Sequence, residues 1–338
     1  MARVAFILDK IFRRFGVSGR AFMPMIMGFG CSIPAMMNTR TLATERERTA
    51  TIRVIPFFSC GAKLPILTAI AGAIVTYFGV GNAEVITYGM YVVGMLVAMI
   101  ALIVMRNTTM RGDVTPFIME LPAYHMPRFK NLMLLLWDKL KHYVEKAFTI
   151  ILVSCIVIWF LSNFGWDWKM VGEIDKSILA SLGKFFQPLF TPLGFGLQLG
   201  TWGWTFVVAA VTGLVAKENV IATFASLAAC IVAGFEGTED GVAEVIKMIE
   251  VTKATVPALI SFIVFNMTTI PCFATVASAK SELKKGTFRW TLLFWVVGSY
   301  LSSAAVYTIG TWWWTAFVWA GVIALFIAVI VIKNKKKA

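Results

Sequence analysis

Three cysteines of this chain stand beside proline and small residues inside otherwise apolar sequence. Cys31 lies between Gly30 and Ser32, three residues before Pro34, in Gly28-Phe-Gly-Cys-Ser-Ile-Pro-Ala35. Cys60 lies between Ser59 and Gly61 in Pro56-Phe-Phe-Ser-Cys-Gly-Ala-Lys-Leu-Pro65, and Cys272 follows Pro271. Proline cannot donate a backbone hydrogen bond and disrupts the turn before it, so carbonyl oxygens come free. A soft thiol ligand beside freed carbonyls is what a path for a metal ion through a membrane requires. The plainer reading of a free cysteine is a small buried hydrophobe, and for Cys155 and Cys230, in unbroken aliphatic runs, that reading is preferred.

Other polar residues sit in apolar surroundings. Lys217 and Glu218 are neighbours within a hydrophobic segment, where ionisable groups are costly and mark function by default. Neighbours on a helix point in different directions, so Glu218 can face a cation or gate while Lys217 ties a helix end; a loop between two short helices is the competing reading. Lys63 is one turn from Cys60. A positive charge beside a thiol favours the thiolate, whereas a lysine near the end of a span also snorkels to the interface. Ser32, Ser59 and Asn266 are oxygen ligands or polar glue between helices. The early methionines read as flexible packing in a gating hairpin, and His125 and His142 form no ligand cluster. The chain contains no phosphate-binding loop, dinucleotide fingerprint or His-Glu-x-x-His motif, so no catalytic residue and no organic cofactor is expected.

The elements that position these residues belong in lipid. Only 14% of the 338 residues are charged and 59% are hydrophobic, against about 25% charged in soluble domains; the mean hydropathy is +0.78. Apolar blocks such as 85–105 and 315–332 reach the roughly 20 residues that cross a bilayer as a helix. The net charge of +13 comes from short clusters flanking these blocks, which is the cytoplasmic bias of membrane proteins and not a nucleic-acid surface. Five cysteines are an odd number and make no disulfide framework. Residues 1–16 read as an amphipathic helix without an export signal.

Lys333–Lys337 places the C-terminus in the cytoplasm. Working back from it gives spans at 311–332, 290–310 and 256–279, with an acidic outer loop at 234–253. Spans at 54–79, 85–105 and 147–164 follow from the other end, with a basic cytoplasmic stretch at 106–146 carrying an amphipathic helix from 131, and an outer loop at 165–200. Segments 20–38 and 201–233 contain residues that a lipid-facing helix avoids, so each is broken or re-entrant. They resemble each other: Gly28 to Thr41-Leu42 has the spacing of Gly213 to Ser226-Leu227, and each precedes a cysteine site. An inverted repeat gives this pattern and puts the binding site where the broken segments meet. The expected fold is an all-α polytopic membrane bundle of about six full spans plus two broken segments.

The chain resembles the membrane part of the ferrous iron transport protein B family (FeoB). The matching residues are Met1–Asp9, the two cysteine-proline motifs, Thr39-Arg-Thr-Leu42, Glu45-Arg-Glu-Arg48, Met119-Glu-Leu-Pro122 with Pro127-Arg128, Gly213-Leu-Val-Ala-Lys-Glu218 and Ile270-Pro-Cys272, nearly the whole chain. The resemblance implies a transporter, not an enzyme, moving Fe(II) as substrate across a bacterial cytoplasmic membrane through two gate modules around a central domain. The corresponding division is 1–50 for the end of a first gate module, 51–105 for the central domain, 106–146 for a cytoplasmic connector, 147–280 for a second gate module and 281–338 for two further spans and the tail. Cys31, Cys60 and Cys272 carry over as metal-pathway residues. Glu218 carries over as a gate residue, with Ser32, Pro34, Ser59, Lys63, Lys217, Asn266 and Pro271 as further pathway candidates. Lys63 stands where the family more often has arginine, and Ser32 where asparagine is common. The family usually begins with a cytoplasmic GTP-binding domain and further spans. This chain opens inside the match, which implies a truncated or split system whose GTPase acts in cis or trans. Membrane lipid, a small accessory iron-transport protein and a second copy of the chain complete the expected partners. The alternatives are a gate-type transporter of a nucleoside or other small solute, and a non-transporting membrane fragment.

Overall fold

The computed structural model describes residues 2–79, 81–108, 128–166, 177–231, 241–322 and 325. Among the described residues, four segments are long and apolar enough to cross a membrane: Glu45–Phe78, Ala83–Thr108, Val256–Glu282 and Lys285–Thr311. The motif Met119-Glu-Leu-Pro122, His125, the acidic residues within 236–240 and the tail 333–337 lie outside the described residues, as do most of the expected last span and the side chains of Cys155, His142 and Cys230.

The first half of the chain starts with the amphipathic helix α1 (Ala2–Arg14). A broken helix follows, α2 (Phe22–Gly30) and α3 (Ser32–Asn38). Next comes α4 (Glu45–Val54), capped by Thr44, whose hydroxyl accepts from the Glu47 amide. The chain then leaves α-helical geometry at Pro56 and re-enters it as α5 (Leu64–Phe78), which ends on Gly79 in the left-handed conformation. The long helix α6 (Ala83–Thr108) completes the half. Gly94 lets α6 pass directly over the break, because a Cβ there would stand 2.7 Å from the Phe57 carbonyl oxygen.

After α7 (Phe129–Asn163) and α8 (Ile178–Phe186), the second half repeats this order. A broken helix, α9 (Trp204–Val215) and α10 (Asn219–Ile231), comes first. After α11 (Val242–Thr252), a second broken helix is formed by α12 (Val256–Thr268) and α13 (Phe273–Glu282), and the long helix α14 (Lys285–Thr311) closes the half. The spacing that aligns Gly28 with Gly213 aligns Cys31 with Ala216, and these two residues have nearly the same backbone: φ −148°, ψ 130° and φ −146°, ψ 135°. Both interrupt a helix with one extended residue.

The interruptions of the long helices have a packing cause. Two hydrophobic cores are present, one around α1–α4 and α6, the other around α8–α12. Yet α5 buries Ile66, Leu67, Ile70 and Ile74 in the second core, while Ala279 of α13 and Trp295 of α14 are buried in the first. Each broken long helix therefore leaves its own core and enters the other. The chain changes direction between them, where Pro56 and Pro271 remove the donors that would keep a helix straight. Segments 54–79 and 256–279, expected as plain spans, are in fact split at these points.

Three further expectations are corrected. The connector helix and the span after it are one continuous helix, α7, since no proline or glycine interrupts 129–163. The outer loop 234–253 contains α11, which buries Val245, Met248, Ile249 and Thr252 at helical spacing. The outer loop 165–200 contains α8 and 3-10 turns, and Leu193, Phe195 and Leu199 enter the second core.

Polar contacts stitch the halves together. Glu282 of α13, its side chain fully buried, accepts from Arg40 at 2.5 Å and from Arg48. Within the second half, the Ser261 and Ser303 hydroxyls lie 2.8 Å apart between α12 and α14, the kind of short polar contact that joins helices in lipid.

Candidate functional site

The four chain breaks meet around one cavity of about 120 Å³. Its wall is built from Gly30–Ser32 at the first break, Cys60–Lys63 at the second, Val215–Glu218 at the third and Pro271–Cys272 at the fourth. Cys31, Cys60 and Cys272 all line it as thiols, each partly exposed.

Each break supplies its polar group for a local reason. Pro34 has no N–H for the Gly30 carbonyl one turn before it, and that oxygen lies against Gly61, beside Cys60. Cys60 is extended, φ −76° and ψ 164°, before the 3-10 turn Gly61–Lys63. Cys272 caps the start of α13, with its sulfur 3.1 Å from the Thr275 hydroxyl. At the third break Ala216 is extended, and the turn at Lys217 sends the two charged neighbours apart: Lys217 is 2% exposed, while Glu218 is exposed.

Lys63 does not snorkel. It is 2% exposed, and its Nζ donates to the Pro56 carbonyl and to the Met267 carbonyl, both at 2.6 Å. These oxygens belong to the two broken long helices, one from each half. Lys217 Nζ is buried with no hydrogen-bond partner among the described residues. Both ammonium groups lie within electrostatic reach of Cys60 and Cys272. The cavity wall thus brings three thiols and Gly30 together with two buried lysine amines, one saturated with acceptors and one without a partner among the described residues.

Of the residues singled out from the sequence, Cys31, Ser32, Cys60 and Lys63 line the cavity from the first half, and Lys217, Glu218, Pro271 and Cys272 from the second. Pro34, Ser59 and Asn266 do not. Pro34 acts through the Gly30 carbonyl. Ser59 is buried and donates to the Met267 sulfur at 3.4 Å. Asn266 is fully buried, donates to the Phe262 carbonyl, and leaves its Oδ1 without a partner among the described residues, close to Gly213. Sequence reasoning missed Thr275 and Met267. The signal for Thr275 was its place one turn after Cys272; nothing local marks the Met267 carbonyl. Among the described residues, no three His, Cys, Asp or Glu side chains stand close enough to hold one ion. The three thiols share a cavity without forming a preassembled ligand set.

The chain matches the gate family described as "Nucleoside recognition" over residues 1–74 and 144–286, and the family described as "Ferrous iron transport protein B C terminus" over residues 87–139. A protein of Campylobacter jejuni named Fe(2+) transporter FeoB is 36% identical over 303 residues, covering 88% of this chain and 47% of the relative. A Staphylococcus aureus protein of the same name is 34% identical, covering 92% of this chain and 44% of the relative. A Salmonella typhimurium protein, also so named, is 38% identical, covering 67% of this chain and 28% of the relative. The match thus spans less than half the length of each of these relatives. No solved structure gives a significant match.

Proposed function

The chain belongs to the ferrous iron transport protein B family, over the membrane part of its members, and from that membership we propose that it forms the permeation pathway of a Fe(II) transporter of the bacterial cytoplasmic membrane. The observation that carries this reading is the convergence of Cys31, Cys60 and Cys272, with the Gly30 carbonyl, on one cavity between two similarly built halves. Thiol and carbonyl donors replace part of the water shell of a divalent ion. A conducting site must bind well enough to admit its ion and weakly enough to release it. Thiols spread around a cavity meet that condition better than a closed set of three.

The gate family's description favours a second reading, a nucleoside or similar solute. Pockets for such ligands have volumes of roughly 300–1,000 Å³. A cavity of about 120 Å³ suits a partly hydrated ion better.

In this reading the cavity is closed to iron, because Lys63 occupies carbonyls that a cation would seek. Opening separates the two halves and releases its ammonium. A GTP-binding domain, in cis or in trans, biases that step; a small accessory iron-transport protein and self-association complete the assembly.

The test is anaerobic Fe(II) binding to the purified chain beside a variant with Cys31, Cys60 and Cys272 all changed to serine. The expected result is saturable binding in the parent that is lost in the variant while the thermal transition is kept. Equal binding in both, or none in either, would remove the thiol-lined pathway and move the solute reading ahead.

A further inference from the structure

A second, larger recess lies away from the pathway, between α4, α6 and α14 on the side of the N-terminal ends of α4 and α14. Its volume is about 1240 Å³. One end is polar and cationic: Arg46, Thr49 and Arg53 from one face of α4, with Lys284 and Thr287 opposite. The other end is apolar, formed along α14 by Leu293, Val297 and Leu301, all exposed. Gly298 widens it; nothing lies within 4 Å of where its Cβ would stand.

Arg53 is the informative residue. It is 7% exposed and lies inside a membrane-crossing segment. Its Nε donates to the neutral Thr291 hydroxyl at 3.0 Å, and no carboxylate pairs with it among the described residues. At the mouth, Lys284 pairs with Glu45 at 2.8 Å, so Arg53 is the cation of the recess that no carboxylate balances among the described residues. A buried guanidinium without a counterion is costly. An anion entering the recess would supply one.

The division between polar and apolar ends identifies the anion. It falls at one level, near Thr291. From Leu293 to Leu301 the rise is about 12 Å at ~1.5 Å per residue, close to the ~15 Å of one leaflet's hydrocarbon. Trp290, exposed, stands at the boundary, where indoles favour the interface. A free anion needs the cationic end alone, and a transmembrane helix needs neither charge. A lipid needs a charged head and an apolar groove meeting at that depth. By the cytoplasmic bias of basic residues, the leaflet is the inner one.

We propose that this recess is a binding site for one anionic phospholipid of the cytoplasmic leaflet, with its phosphate on Arg53 and an acyl chain along α14 over Gly298. The proposal is independent of what passes through the central cavity.

The test uses the full chain in nanodiscs of equal phosphatidylglycerol and phosphatidylcholine, re-extracted in mild detergent, with retained lipid counted by mass spectrometry. The parent is expected to retain phosphatidylglycerol in excess. Arg53→Gln should lower that excess about fivefold, the effect of one basic contact, whereas Arg53→Lys keeps most of it. Gly298→Leu fills the groove without touching the charges and should lower it as well. Arg289→Gln, an exposed basic residue outside the recess, should leave it unchanged. Thermal melts in phosphatidylcholine check each fold; should Arg53→Gln fail to fold, Gly298→Leu and Arg53→Lys still decide. Equal retention of both lipids by the parent would overturn the proposal, as would parental retention in Gly298→Leu or equal losses in Arg53→Gln and Arg289→Gln. Displacement of the lipid by millimolar inorganic phosphate would assign the site to the free anion. A co-extracted peptide in place of lipid would assign it to a protein segment.

Discussion

Lys63 Nζ donates to the Met267 carbonyl oxygen at 2.6 Å across the boundary between the two halves of the chain. With its second bond, to the Pro56 carbonyl, one ammonium saturates oxygens that both broken long helices have left without helical donors. Lysine here behaves as a tethered cation. If the cavity is the ion's path, Lys63 both joins the halves while that path is empty and occupies oxygens that an arriving ion would use, so that structural glue and closure are the same contact.

Replacing Lys63 by methionine should separate stability from affinity. Two buried carbonyls lose a charged donor, so stability should fall by about 1.5–3 kcal/mol, read as a lower thermal midpoint in detergent. Fe(II) affinity should rise, because the competitor is gone, and Lys63→Arg should keep the parent's behaviour more closely. If affinity falls together with stability, Lys63 is a structural tie and nothing more.

Lys217→Met should act in the opposite direction on stability. The Lys217 ammonium is as buried as that of Lys63 but has no hydrogen-bond partner among the described residues. Removing an uncompensated buried charge while keeping the side chain's length should leave stability unchanged or raise it by about 1 kcal/mol. The same thermal melt, without metal, reads it. A midpoint that drops as far as in Lys63→Met would mean that water or an ion in the cavity already compensates Lys217.

How much of this was legible beforehand depended on whether the signal was local. Cys31, Cys60 and Cys272 could be read because a thiol next to proline and glycine has no reason to face lipid. The split at Cys31 followed from Pro34, and the split at Lys217 from two charges in an apolar run. The acceptors of Lys63 could not be read, since Met267 is remote in sequence and only its backbone takes part. Helix α11 was hidden because Glu244, Lys247 and Glu250 give an acidic loop's composition to a segment whose Val245, Met248 and Ile249 nonetheless recur at helical spacing. Likewise the exchange of α5 and α13 between cores leaves no trace in hydropathy, because both cores are equally apolar.

The shared cavity makes a prediction about thiol chemistry. If Fe(II) resides among Cys31, Cys60 and Cys272, it should slow maleimide modification of all three with one concentration dependence. At a metal concentration about ten times the dissociation constant the rate should fall roughly tenfold. Residue-resolved mass spectrometry under anaerobic conditions measures this. Protection of one cysteine alone would reduce the pathway to that residue and leave the other two as packing.

The clamp at Glu282 predicts an unequal pair of losses. Its carboxylate is fully buried and takes Arg40 and Arg48 from the first half, so that the end of α13 is fixed to the chain around α4. Glu282→Gln leaves two guanidinium groups without their shared anion and should cost about 3 kcal/mol. Arg40→Gln removes a side chain that is 60% exposed; its contact is largely screened by solvent and should cost below about 1 kcal/mol. Thermal midpoints of the two variants, measured at low and high salt, check the ratio. Since α3, which begins directly after Cys31, packs on α13, the Glu282 variant should also expose Cys31 to maleimide faster than the parent. A loss of stability with unchanged Cys31 reactivity would confine the clamp to folding and detach it from the closure of the cavity.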